Sequence, residues 1–187
     1  MIVFNSFPRS GNVFMSTLAG KLGIESSADH NYKLYYNPEI NQCSYFRDPK
    51  ECISSVVHRL IKSAKYPNWD NKSEIDIMIV RELDIYKRYA AAALENKDHM
   101  YIGDFVNIKK NPYEEIQKIC KKFNLNFDEK RNYNKTEIEH TLYSNNLMTD
   151  HDGHMPRNKS LNRINLENYI STSDLFEEAY QIYREVI

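Results

Sequence analysis

Two short stretches combine residue types suited to holding an anion. The first is Pro8-Arg9-Ser10-Gly11-Asn12, between the apolar run at residues 1–7 and a run with Val13, Phe14, Leu18 and Leu22 at helical spacing. The free N–H groups of a helix N-terminus favour an anion. Gly11 lets the backbone come close, and Arg9 adds a permanent charge with a planar donor fork. Phosphate or sulfate suits such a loop; an ordinary strand–helix turn is the plainer alternative. The second stretch is Tyr45-Phe46-Arg47-Asp48-Pro49, followed by a helical run in which Ser55 comes eight residues after Arg47. Neither stretch is a Walker loop, which requires G-x-x-x-x-G-K-[ST]. No glycine follows Gly11 at that spacing, and Gly20-Lys21 is followed by Leu22, so the magnesium-binding hydroxyl is missing.

The elements that would position these residues alternate in type. Residues 1–7 read as a short buried strand and Val13–Leu22 as a helix closed by Gly23. Residues 24–41 read as irregular. Cys43–Phe46 is the second strand expected, and Pro49 opens a helix to about Ala64 with Cys52, Ile53, Val56, Val57, Leu60 and Ile61 inward. Ser73 caps a long helix ending near Asn96, and His99–Gly103 is a third strand. Asn111-Pro112 starts another helix, residues 126–162 are polar and broken, and a last helix covers about Ser173–Val186. Strand–helix alternation of this kind implies an α/β fold with a mainly parallel sheet flanked by helices. In open sheets of that class, ligands bind at the carboxyl ends of the strands, where both stretches fall.

Composition narrows the function. The chain has 187 residues, 41% hydrophobic and 27% charged, with a formal net charge of −1. That suits one domain over residues 1–187 and gives no reason to expect nucleic-acid or membrane binding. Ile2-Val3-Phe4 is too short for a signal peptide, lacks a basic flank, and is stopped by Pro8 and Arg9. The three cysteines, Cys43, Cys52 and Cys120, have neither the number nor the spacing of a disulfide framework or zinc site. A cytoplasmic, reducing compartment is the expectation.

The loop S-F-P-R-S-G-N-V-F resembles the 5′-phosphosulfate loop of the sulfotransferases that use 3′-phosphoadenosine 5′-phosphosulfate (PAPS). The segment F-R-D-P-K-E-C-I-S-S-V-V-H resembles their 3′-phosphate segment, including the arginine-to-serine spacing. A third stretch, Phe105 to Pro112 with Glu115-Ile116-Gln117-Lys118-Ile119, is similar to the strand-and-helix stretch that follows in the cytosolic members. The three occur in the family's order and cover most of residues 2–123. The resemblance implies a P-loop NTPase-like sulfotransferase fold, PAPS as sulfuryl donor and no metal requirement. It also implies a hydroxyl or amine acceptor on a small molecule or glycan.

The resemblance carries roles residue by residue. Arg9 would meet the bridging oxygen where charge builds as the sulfuryl group leaves. Ser10, Gly11, Asn12 and Val13 would cradle the 5′-phosphate through backbone N–H groups. The family usually has hydroxyl residues at the last two positions; Asn12 can still donate through its amide and Val13 cannot. Phe14 and Phe105 match aromatics that pack on the adenine, with core packing the alternative. Arg47 and Ser55 would bind the 3′-phosphate. The alternatives are an ion pair of Arg47 with Asp48 or Glu51, and a Ser55 hydroxyl bonded back to its own helix. Arg157 and Lys159 fall where the family has a basic loop closing on the 3′-phosphate, though without its Arg-Lys-Gly order; solvated charges are the alternative. His30, between the two phosphate segments, matches the catalytic base, since a neutral imidazole can take the acceptor's proton. Asp29 is the fallback base, and His58 reads as structural.

Asp150-His151-Asp152-Gly153-His154 has loose spacing for a metal site and reads better as a polar loop near the acceptor. Tyr32, Tyr35, Tyr36, Tyr66 and Trp69 could line an acceptor pocket. Two rival functions stay open: a P-loop-like nucleotide kinase, and a catalytically silent module that binds PAPS. The acceptor's identity and the oligomeric state are not legible.

Overall fold

The computed structural model describes residues 1–8, 10–29, 34, 36–62, 72–126 and 161–187. Its four strands are β1 (Ile2–Asn5), β2 (Ser26–Asp29), β3 (Asn41–Phe46) and β4 (Tyr101–Asp104). All pairings are parallel, in the order β2-β1-β3-β4. The helices are α1 (Asn12–Lys21), α2 (Pro49–Lys62), α3 (Lys72–Glu95), α4 (Phe105–Lys110) and α5 (Pro112–Lys122), then α6 (Leu161–Ile170) and α7 (Asp174–Val186). This is the expected α/β class, a parallel sheet flanked by helices.

The alternation of side chains along the strands decides which helix covers which face. Ile2 and Phe4 of β1 and Cys43 and Tyr45 of β3 pack with Met15, Leu18 and Ala19 of α1, Ile108 of α4, and Ile116, Ile119 and Cys120 of α5. Phe46 points to the other face, where α2, α3, α6 and α7 bury Ile53, Val57, Leu83, Ile170 and Ala179 around Phe7. Each fully buried aliphatic or aromatic side chain stabilises the fold by about 1.5–3 kcal/mol over an exposed one. Hence the two clusters, rather than hydrogen bonding, hold the layers.

Three elements differ from what the sequence implies. Residues 24–41, expected to be irregular, contain β2. Its residues are Ser26, Ser27, Ala28 and Asp29, none of them partial to strands, and they form a half-exposed edge held by pairing to β1 and by hydrogen bonds to Asn12 and Ser16 of α1. The strand expected at His99–Gly103 begins two residues later, because turn hydrogen bonds from His99 and Met100 to the Asn96 carbonyl finish α3 first. Leu161–Ile170 forms α6, which the polar composition upstream concealed. It docks on α2 through Leu166 and Ile170, with Glu167 buried beside Ser54. No described helix is long and apolar enough to cross a membrane.

Candidate anion-binding site

β1 has β2 on one side and β3 on the other, so the strand order reverses between β1 and β3. In open parallel sheets the crevice at that point, outside the carboxyl ends, is where ligands bind. The segments leaving β1 and β3 border it.

After β1 the chain turns through Ser6, Phe7, Pro8, Ser10 and Gly11 into α1. Gly11 caps the helix with φ 93° and ψ 10°, a left-handed conformation that favours glycine. No side chain caps α1, and its first turn contains no acid. By contrast Asp48, Asp104 and Asn111 accept from the opening N–H groups of α2, α4 and α5. The start of α1 therefore presents uncapped N–H groups with no carboxylate in its first turn, the arrangement an anion favours.

Buried polar contacts hold the loop in shape. The Asn12 side-chain amide donates to the Ser6 carbonyl at 3.1 Å and the Asp29 carbonyl at 2.8 Å. Both amide hydrogens are thereby used, so at this loop Asn12 offers its backbone N–H and not its side chain. The Cys52 thiol, on α2, donates to the Pro8 carbonyl at 3.0 Å and lies 3.8 Å from the Ser10 hydroxyl. Cys52 has no role in the sequence reading; here it fastens the loop to the opposite helix layer. The Tyr45 N–H donates to the Ser6 hydroxyl at 2.7 Å, extending the β1–β3 pairing beyond the ladder.

At the end of β3, Tyr86 of α3 donates to the Arg47 carbonyl at 2.8 Å, and Tyr89 donates to the Asn5 carbonyl at 2.6 Å. Burial pushes both phenols above their ordinary value, more than any neighbouring group does. They stay protonated donors at neutral pH. The Arg47 side chain, 13% exposed, places Nε at 3.0 Å and Nη2 at 2.9 Å from one oxygen of Glu51. This ion pair is the plainer alternative considered for Arg47, and it leaves the residue at the crevice. Ser55 is buried on α2, one helical turn beyond Glu51 and on the same face.

Phe105 connects the two sides. A Cβ on Gly11 would lie 3.1 Å from Phe105 Cε2, so the ring rests against the loop. The Arg47 guanidinium carbon lies 4.9 Å from the centroid of the same ring, and Lys109 Nζ lies 5.0 Å from it. Phe14 and Phe105 are both half-buried at the margin of the core, packing on it with part of each ring exposed.

The structure thus brings the segment Ser10, Gly11, Asn12, Val13 and Phe14 to Phe105 and, through that ring, to Arg47, while Ser55 is buried two turns further along α2. Arg9, His30, Arg157, Lys159 and the cluster at 150–154 lie outside the described residues. So do Tyr32, Tyr35, Tyr66 and Trp69. Asp29 ends β2, and its carbonyl is tied to Asn12. Tyr36 does not line this crevice. Its ring lies 5.5 Å from that of His99, and the two residues precede β3 and β4, on the side of the strands' amino ends. The sequence reading named Glu51 as an ion-pair partner of Arg47 but gave no site role to Cys52, Tyr86 or Lys109. Of these only Lys109, beside Phe105 in a matched stretch, carried a usable signal. Among the described residues no group of three or more His, Cys, Asp or Glu could hold a metal ion.

Comparison with known proteins agrees with this architecture. The chain is similar to a crystal structure of mouse sulfotransferase SULT7A1 complexed with PAP. The TM-score is 0.57, the sequence identity is 10%, and the match covers 96% of this chain and 88% of that one. The chain has the sulfotransferase fold. No family model matches the sequence, and no curated protein does. At this identity the likeness is one of fold, and within the sulfotransferase fold the crevice between β1 and β3 is the candidate site.

Proposed function

We propose that this chain is a sulfotransferase that takes the sulfuryl group of PAPS and passes it to a hydroxyl or amine on a small molecule or glycan. One observation carries the reading most. The uncapped, left-handed glycine start of α1 and Arg47, just beyond β3, both meet the Phe105 ring. A donor with phosphates on the 3′ and 5′ positions of its ribose and an adenine on C1′ calls for two anion sites and an aromatic. The fold likeness to a sulfotransferase complexed with PAP supports the same donor.

In this reading the backbone N–H groups of Ser10, Gly11, Asn12 and Val13 hold the 5′-phosphate. Arg47 and Ser55 hold the 3′-phosphate, and Phe14 and Phe105 contact the adenine. Arg157 and Lys159 close over the 3′ side. His30, with Asp29 as the alternative, takes the proton from the acceptor O–H as its oxygen bonds to sulfur. The bond between sulfur and the bridging oxygen breaks, and that oxygen leaves with the electron pair on the 5′-phosphate, where Arg9 stabilises the growing charge. Nothing in this exchange requires a metal or a redox group. Residues 1–187 act as one unit in a cytoplasmic setting.

Thermal unfolding of the full chain with adenosine 3′,5′-bisphosphate, 5′-AMP and ATP–magnesium tests the proposal. A ligand bound only by the folded state adds about 2.7 kcal/mol at a hundredfold excess over Kd. A large shift with the bisphosphate, a small one with 5′-AMP and loss of the difference in Arg47→Ala are expected. A shift with ATP–magnesium alone would replace this reading with the kinase one. Binding without sulfuryl transfer to any of a broad panel of hydroxyl and amine acceptors would leave a silent binding module.

A further inference from the structure

Lys109 sits one turn beyond Phe105 on α4, with its ammonium nitrogen 5.0 Å from the ring centroid. Taken alone, such a pair is ordinary helix-surface chemistry, and a cation in the last turn also complements the helix dipole. The second cation is not local. Arg47 comes from the end of β3, and its guanidinium carbon is 4.9 Å from the same centroid. Two cations share one ring, and that ring rests on Gly11, the cap of the phosphate loop. Each is drawn to the ring's electron-rich face, while their like charges repel. Negative charge nearby relieves the repulsion, and Glu51 supplies one such charge to Arg47.

Resting on the nucleotide site proposed above, we infer that Lys109 is a second cation for the 3′-phosphate, sharing the Phe105 ring with Arg47. A phosphate dianion has oxygens pointing in several directions, each able to accept a charge-assisted hydrogen bond at about 2.7–2.9 Å. It can therefore engage an arginine from the end of β3 and a lysine from α4 together. Lys109 has a long flexible stem and an exposed position, so its head can close on the ligand. The contact of Phe105 and Ile108 with Gly11 fixes α4 against the loop, so the lysine is presented at a set distance from the 5′ side. The assignment makes Lys109 a determinant of preference for a nucleotide carrying a 3′-phosphate, separate from the 5′-phosphate loop.

Calorimetric titration of the full chain with adenosine 3′,5′-bisphosphate and with 5′-AMP tests it, in the parent, Lys109→Met and Lys109→Arg. The exposed position allows both variants to fold, and a melting curve checks this. Lys109→Met should lose about tenfold or more in affinity for the bisphosphate. It should keep its affinity for 5′-AMP, and Lys109→Arg should retain most of the preference. Equal weakening towards both ligands, or an unchanged preference in Lys109→Met, would overturn the assignment. A parent chain that binds both nucleotides alike would overturn the nucleotide site itself, and the role of Lys109 with it.

Discussion

The side-chain amide of Asn12 joins the last residue of β2 to the phosphate loop, donating to the Asp29 carbonyl at 2.8 Å and the Ser6 carbonyl at 3.1 Å. Asn12 is buried, so a replacement cannot recruit water easily. Asn12→Ala leaves two acceptors without their donors and should cost about 1–3 kcal/mol. Denaturant unfolding would show this as a lower midpoint with an unchanged slope. An unchanged midpoint would mean that the two carbonyls find other donors.

Gly11 answers to two constraints at once. Its φ of 93° is strained for any residue with a Cβ, and that Cβ would press on Phe105 and Ile108 at 3.1 Å. Gly11→Ala should therefore cost about 1–2 kcal/mol of stability. It should weaken adenosine bisphosphate binding more than this stability loss alone would, because relief of the contact pushes α4 from the loop. Calorimetric titration on the folded variant separates the two effects.

The α/β scaffold and the turns at Gly11 and Arg47 were legible in the chain, and β2 was not. Gly11 and Arg47 stand out because strand ends, helix starts and fixed charges leave a pattern in the chain itself. The α/β alternation was legible for the same reason, since β1, α1, β3 and α2 each carry an apolar period. β2 was not, because Ser26-Ser27-Ala28-Asp29 becomes a strand only by pairing with β1. Nor could spacing say that the Asn12 amide turns inward to carbonyls, since that choice depends on where Asp29 arrives. Cys52 reads as a core residue, and both it and Tyr86 are buried, yet each also holds a backbone carbonyl of the site. Such contacts between elements far apart in sequence have no period to reveal them.

Tyr86 and Tyr89 permit a paired comparison. Both phenols support carbonyls at the crevice, but only Tyr86 holds Arg47. Tyr86→Phe and Tyr89→Phe should each cost about 1–2 kcal/mol in unfolding experiments. Only Tyr86→Phe should also weaken discrimination between the bisphosphate and 5′-AMP, by releasing the backbone that carries the guanidinium. Equal loss of discrimination in both variants would assign the effect to general loosening of α3.

The same buried phenols set an alkaline limit to stability. Burial pushes Tyr45 and Tyr86 well above their usual value of 10.0, and Tyr89 is raised for the same leading reason. Below about pH 10 both folded and unfolded chains keep these protons, so the groups add no pH dependence. Above it the unfolded chain releases protons that the folded chain retains. The unfolded state then binds fewer protons, and stability falls as pH rises, by about 1.4 kcal/mol per pH unit for each such tyrosine. Three buried phenols make the fall steep, so the melting temperature should drop sharply above pH 10. The share of tyrosinate absorbance that belongs to these three phenols should rise together with unfolding rather than before it. Tyr89→Phe should make the alkaline slope shallower by one proton, whatever it costs at neutral pH. A slope unchanged by that substitution would show that Tyr89 ionises in the folded protein as it does in the unfolded chain.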